Sequence, residues 1–252
     1  MTAIGVRIMS DVRRQLGLPV TWLAVGGFAF LSGWAFLSRL SAFLEHSSQA
    51  LSVPPLVPVN INQLLIRPYL LEVGLAALVV LPFVTARAQR ASSRGAAVGR
   101  PPIADGPNGG GTFASVFAVY TLMLLTSVAL VAVLFAYGEP EWQTTLCGYL
   151  GLLLAGGAYV AVALLLSSLA TSALAAGLAT MALSMLLATT SWLAWWGTPG
   201  VRSVFGHVSV AEGLSDFAGG VVDIGYAVSC LTITALGVGL TRCVFDASRA
   251  ER

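Results

Sequence analysis

The 252-residue sequence contains no lysine, so all thirteen of its basic residues are arginines. A phosphate-binding loop of the G-x-x-x-x-G-K-[ST] kind needs a lysine to reach the terminal phosphates. The chain therefore does not bind ATP in that way, and any ATP-driven function requires a second polypeptide. Charge of either sign is scarce: charged residues make up 10% of the chain, against about 25% in soluble domains. The formal net charge of +2 carries no signal for a nucleic-acid partner. The three cysteines, Cys147, Cys230 and Cys243, lie in or beside apolar runs with no C-x-x-C or Cys/His spacing. That pattern suggests neither a zinc site nor a disulfide framework and reads as small apolar side chains. The two histidines, His46 and His207, stand far apart, without an H-E-x-x-H, H-x-x-E-H or G-x-S-x-G context. A membrane hydrolase is disfavoured, and no cofactor-binding motif is present.

What fills the chain instead is apolar. Hydrophobic residues account for 57%, and the mean hydropathy is +0.85, which marks an integral membrane protein. A hydrocarbon layer about 30 Å thick takes roughly 20 apolar residues as a helix. Six segments meet that length, at about 18–37, 68–84, 113–137, 146–166, 174–196 and 221–245. The expected fold is all-α and polytopic, a single transmembrane domain of six spans. The first span is expected to be retained and not cleaved as a signal, because its apolar run is long, lacks a small-x-small site and is followed by Arg39.

Arginine placement sets the orientation, since loops rich in Lys and Arg stay cytoplasmic. Arg7, Arg13 and Arg14 precede the first span, Arg87, Arg90, Arg94 and Arg100 follow the second, and Arg242, Arg249 and Arg252 close the chain. Only Arg39, Arg67 and Arg202 fall on the opposite side, so both termini are expected in the cytoplasm. Tyr137, Trp142, Trp192, Trp195 and Trp196 then form an outer aromatic belt. Residues 85–112 become a flexible cytoplasmic loop rich in Gly, Pro, Ser and Ala, whose arginines hold it against the anionic leaflet. Two long external loops are expected at 38–67 and 197–220, with 52–60 extended by its prolines and 61–68 a short amphipathic element. Residues 6–16 read as a basic interfacial helix.

An ionisable residue inside a span is a functional candidate because its burial costs at least about 2.5–3.5 kcal/mol at the bilayer centre. Glu72, about one turn into the second span, and Asp223, at the start of the sixth, are the two candidates. Arg67 and Arg202 are their expected partners. The alternative for each is a solvated or helix-capping carboxylate. In the fourth span, Gly148, Gly151, Ala155, Gly157, Ala161 and Ser168 recur at helical spacing, a small-residue face that places this helix inside a bundle or at a dimer contact. Leu, Ala and Val suit any lipid-facing helix and specify no substrate.

Three separated motifs carry a family resemblance: N-Q-x-x-x-R-P at the start of the second span (Asn62, Gln63, Arg67, Pro68), G-Y-x-G-x-x-L opening the fourth (from Gly148), and F-x-x-G-x-x-D leading into the sixth (Phe217, Gly220, Asp223). In order and loop length they resemble the permease subunit of type-2 ABC exporters, in the gliding-motility-type bacterial branch. The resemblance implies a half-channel in the bacterial cytoplasmic membrane that pairs with a second permease or its own copy and works with a separate ABC ATPase subunit. It also implies that the segment after the second span contacts the ATPase, typically as a short helix with an acidic pair followed by G-T-x-E-x-L-L and a proline. Here that segment reads RAQRASSRGAAVGRPP, residues 87–102. The corresponding positions are Arg87, Gln89, Arg90, Arg94 and Gly95, with Gln89 and Arg90 in place of the acidic pair and Ala96 in place of Thr. Its glycines and prolines make a poor helix with little anchoring area, so coupling through it is expected to be weak. Two other readings stand beside the permease: a permease-like scaffold that moves no substrate, and a proton-coupled carrier relying on Glu72 and Asp223.

Overall fold

The computed structural model describes residues 12–13, 15–52, 60–97, 109–138, 140–170, 172–188 and 210–250. Among them there is no strand. The helices, in chain order, are α1 (Pro19–Ser52), α2 (Arg67–Ala97), α3 (Gly109–Tyr137), α4 (Trp142–Leu169), α5 (Ala173–Ala188), α6 (Val210–Ala218) and α7 (Ile224–Ala250), with a π-helical turn at Asn62–Ile66 running into α2. Five helical stretches are long and apolar enough to cross a membrane: Pro19–Gln49, Asn62–Gln89, Gly111–Tyr137, Trp142–Leu169 and Ile224–Val244. This is a polytopic helical membrane protein. The fifth expected span is represented by α5, whose apolar part, Leu174–Leu186, is shorter. The rest of that span and Trp192, Trp195, Trp196 and Arg202 lie outside the described residues, as do 53–59 and most of 6–16.

Two expected loops are partly helical. The first span does not stop at residue 37: α1 continues to Ser52, because residues 38–52 contain neither Gly nor Pro and the first residue that forbids a helical neighbour is Pro54. At 1.5 Å per residue its 34 residues extend roughly 51 Å, well past a hydrocarbon layer of about 30 Å. Likewise α2 does not stop at residue 84 but runs to Ala97. Residues 85–97 are dominated by Ala, Arg and Gln, which lose little entropy in a helix, and Gly95 near the end is tolerated. The segment 61–68 is a π turn continuous with α2 and not a separate surface element.

At the centre stands α4. Every residue from Ala155 to Leu164 is buried, so this stretch of the helix is covered on all sides, as a core helix must be. The neighbours fit where α4 lacks side chains. A Cβ on Gly156 would lie 1.9 Å from the ring of Tyr120 on α3, one on Gly151 2.7 Å from Phe217 on α6, and one on Gly148 2.4 Å from Leu70 on α2. Gly157 faces Thr234 and Phe117, and Ala161 takes the approach of Gly237 on α7. Ala155 and Ala161 are both fully buried. Close backbone approach over small residues is how helices gain packing energy in a bilayer, where no hydrophobic force drives them together.

These contacts also fix direction. Leu70 meets Gly148 and Tyr226 meets Gly151 near one end, while Gln89 meets Ser167 and Gly237 meets Ala161 towards the other. So α2, α4 and α7 run the same way. The antiparallel α3 places Tyr120 at Leu152 and Ser127 at Tyr149. Two buried tyrosines bracket the middle of α4: Tyr120 donates to the Leu152 carbonyl at 2.7 Å and Tyr226 to the neighbouring Gly151 carbonyl at 3.1 Å. A buried hydroxyl left without an acceptor costs about 1–3 kcal/mol, and in an apolar bundle the nearest acceptors are helix carbonyls.

Candidate functional site

At the end of the bundle where α2 and α4 begin, α1, α2 and α4 meet at the π turn. Asn62 is buried, and its Oδ1 accepts the Glu141 N–H at 3.3 Å, tying the turn to the start of α4. Its own N–H donates to Asn60 Oδ1 at 2.8 Å, and its Nδ2 has no partner among the described residues. Arg67 reaches sideways: its Nη2 donates to Ser215 Oγ on α6 at 2.8 Å, with a longer contact of 3.4 Å from Nη1 to Gln63 Oε1. The short helix α6 is thereby held across α2, α4 and α7. Phe217 fills the Gly151 cradle, Leu214 lies 2.8 Å from where a Gly74 Cβ would be, and Tyr226 packs over Gly213 at 2.3 Å from its absent Cβ. Leaving α6, the chain turns at Gly220 with φ +87°, the single left-handed backbone among the described residues, and Asp223 then caps α7 by accepting the Gly225 N–H on Oδ1 at 2.8 Å.

Asp223 is thus a capping carboxylate, exposed at a helix start. Its expected partner Arg202 lies outside the described residues. For Glu72 the expected partner is corrected. Arg67 precedes it by five positions on the same helix, about 140° round the axis, and side chains meet at three or four positions and not at five. Glu72 instead pairs with Arg39 of α1, whose Nε–H donates to Oε1 at 2.8 Å while Nη2 donates to the same oxygen. Arg39, expected in an external loop, lies well inside α1 because that helix continues past it.

The depth of this pair follows from α2. Arg67 and the exposed Arg87 are twenty positions apart, roughly 30 Å of helix and therefore the width of the hydrocarbon layer. With Arg67 and Arg87 set at the two boundaries, Glu72 lies five positions inside, roughly 7.5 Å deep. Tyr137 and Trp142, 90% and 63% exposed, stand beside the Asn62 turn as an interfacial belt would. The ion pair nevertheless retains considerable exposure, 40% for the Arg39 side chain and 30% for Glu72.

At the opposite end, Gln89 turns inward: it is 6% exposed and accepts the Ser167 hydroxyl of α4 on Oε1. Arg87, two positions earlier and so on the opposite face of the helix, is exposed. Arg90, Arg94 and Gly95 continue the helical backbone of α2, and their side chains lie outside the described ones. The same end carries the exposed Arg242 of α7. Among the described residues no group of three or more His, Cys, Asp or Glu could hold a metal ion.

Sequence reasoning did not find Ser215, Ser167, Arg39 as a partner, or the Tyr120 and Tyr226 clasps. A signal existed for the tyrosines, since a Tyr inside an apolar span must find an acceptor and needs a small residue opposite its ring. None existed for Ser215, which only the folding of α6 brings to Arg67.

No protein-family model, curated protein or solved structure matches this chain.

Proposed function

We propose that the chain is the permease subunit of an ATP-binding-cassette exporter in the bacterial cytoplasmic membrane, working with a second permease, either a homologue or its own copy, and a separate ATPase chain. The observation that supports this most is the meeting of its three family-like motifs. They span about 160 positions of sequence from first to last, yet Asn62 and Arg67, Gly148 and Gly151, and Phe217 and Gly220 all contribute to one junction. Gly148 faces both Leu70 and Ala218, and the Cβ missing at Gly220 would face Thr144. Phe217 of the third motif packs directly on Gly151 of the second, and Arg67 of the first reaches Ser215, two positions before Phe217; a resemblance made of scattered short motifs gains weight when their residues serve one junction.

In this reading the junction is the outer end and the Arg87/Arg242 end is cytoplasmic, by the placement of arginines. Both termini then lie inside, with α5 belonging to a sixth crossing. Gln89 is tied to Ser167 and serves internal packing. What α2 offers a partner is its helical extension to Ala97, roughly 15 Å beyond Arg87 at 1.5 Å per residue. A rigid helix leaving the bilayer transmits movement where a flexible loop does not, which improves on the weak coupling expected from composition.

The test is capture of the full chain in nanodiscs from its native membrane, with mass spectrometry of the retained proteins. A stoichiometric ABC ATPase is expected. Its absence, under conditions that retain a known ABC assembly, counts against the permease and in favour of the scaffold or the proton-coupled carrier.

A further inference from the structure

The Arg39–Glu72 pair lies within the apolar layer but is not sealed inside the bundle. All contacts between the two groups converge on Glu72 Oε1. Among the described residues, Glu72 Oε2 and Arg39 Nη1 take no other hydrogen bond, and neither is enclosed, since the buried atoms without partners are elsewhere. A cation and an anion are therefore presented side by side, each with unused bonding capacity. Plain hydrocarbon is a poor neighbour for such a surface, because unpaired polar atoms at membrane depth are costly. The α2 face continues from Glu72 at positions 75 and 79, one helical stripe, as exposed Leu75 and half-buried Val79. A charged pair above an apolar stripe has the shape of an amphiphile's complement.

We infer that Arg39 and Glu72 form a binding site for the head of a zwitterionic amphiphile, its phosphate or carboxylate on the open edge of Arg39, its ammonium on Glu72 Oε2, and its tail along Leu75 and Val79. Charge complementarity selects this class. A purely anionic head meets the Glu72 carboxylate at close range, and an uncharged head supplies neither an anion for Arg39 Nη1 nor a cation for Glu72 Oε2. The guanidinium binds an anion through a planar edge with several donors, and half of that edge is already committed to Glu72, which fixes its orientation. Under the permease reading such a molecule is the class of cargo, and to that extent the inference rests on it. Binding itself requires no ATPase.

The experiment is a titration of the full chain in detergent, followed by native mass spectrometry, with phosphatidylethanolamine, phosphatidylglycerol and diacylglycerol of identical acyl chains, and with tail-less glycerophosphoethanolamine as competitor. Phosphatidylethanolamine is expected to bind about tenfold or more tightly than the other two lipids, and the tail-less head to compete weakly. The Arg39→Gln/Glu72→Gln double variant removes both charges together and leaves no orphan ion. Its fold is checked by thermal unfolding, and it is expected to lose the preference. Equal binding of phosphatidylglycerol, or retention of the preference by the folded double variant, overturns the site. Equal binding of the tail-less head overturns the role of the apolar stripe. Failure to recover an ATPase elsewhere leaves this result standing, so the two readings fail separately.

Discussion

At Gly156 the packing has no room for even a methyl group, because a Cβ would overlap the Tyr120 ring, and that ring is pinned by its hydroxyl bond to the Leu152 carbonyl. Gly156→Ala is expected to destabilise the protein by at least about 1–3 kcal/mol, the range for overpacked cores, seen as a melting point several degrees lower in detergent. Gly26→Ala is the control: nothing lies within 4 Å of its Cβ position, so its melting point stays unchanged or rises slightly, since Ala is the better helix former. Equal effects at the two positions would show that the α3–α4 contact is not as close as described. The ion pair gives a second prediction at this scale. Arg39→Gln or Glu72→Gln alone strands a charge in the apolar layer and should destabilise by about 1–3 kcal/mol, while the double neutral variant recovers most of the loss. Additive losses in a thermal double-mutant cycle would mean the two groups do not interact. Glu72 was legible in the sequence as an unusual residue, but its partner was not: Arg39 appeared to follow the first span because an apolar window ends before a helix does.

Among the elements, α6 is the least predictable and the most constrained. In the sequence, residues 210–218 sit in an apparent external loop, because nine residues with two acids give no span signal. Their order comes from the surroundings: glycines on α2 and α4 that accept Leu214 and Phe217, and Arg67 that reaches Ser215. Arg67→Ala is expected to raise amide exchange across 210–223 while leaving α4 protected, since loss of one such bond costs about 1.5–3 kcal/mol locally. Unchanged exchange would mean that aromatic packing alone holds α6. The C-terminal end of α2 behaves in the opposite way. The sequence reads as a flexible loop from residue 85, but the helix continues to Ala97, where helix-forming Ala and Arg outweigh one glycine. Ser93→Pro, which removes a helix N–H and clashes with the preceding turn at a cost of about 3 kcal/mol, is expected to abolish protection over 90–97 without affecting Gln89. If the wild-type amides there exchange at loop rates, the helical extension is not stably formed.

For the whole molecule, the sequence already shows the class, because long apolar runs have few structural alternatives to membrane helices. It shows less of how the helices meet, since α1 and α7 expose apolar side chains along much of their length while the middle of α4, Ala155–Leu164, exposes none, and all three are apolar. Topology separates five crossings from six. In a cysteine-free background, thiols introduced at Ser248 and at Arg13 should react with an impermeant reagent from the same side, and one introduced at Ser48 from the opposite side. Labelling of the first two from opposite sides would give an odd number of crossings and remove the permease topology. The most direct measurement of the central proposal is ATP hydrolysis by the assembly captured on the full chain in nanodiscs. The permease reading predicts vanadate-sensitive hydrolysis that elutes with this chain and falls when Ser93→Pro breaks the α2 extension. Hydrolysis absent from the captured chain, while a known ABC assembly handled in parallel remains active, would contradict it.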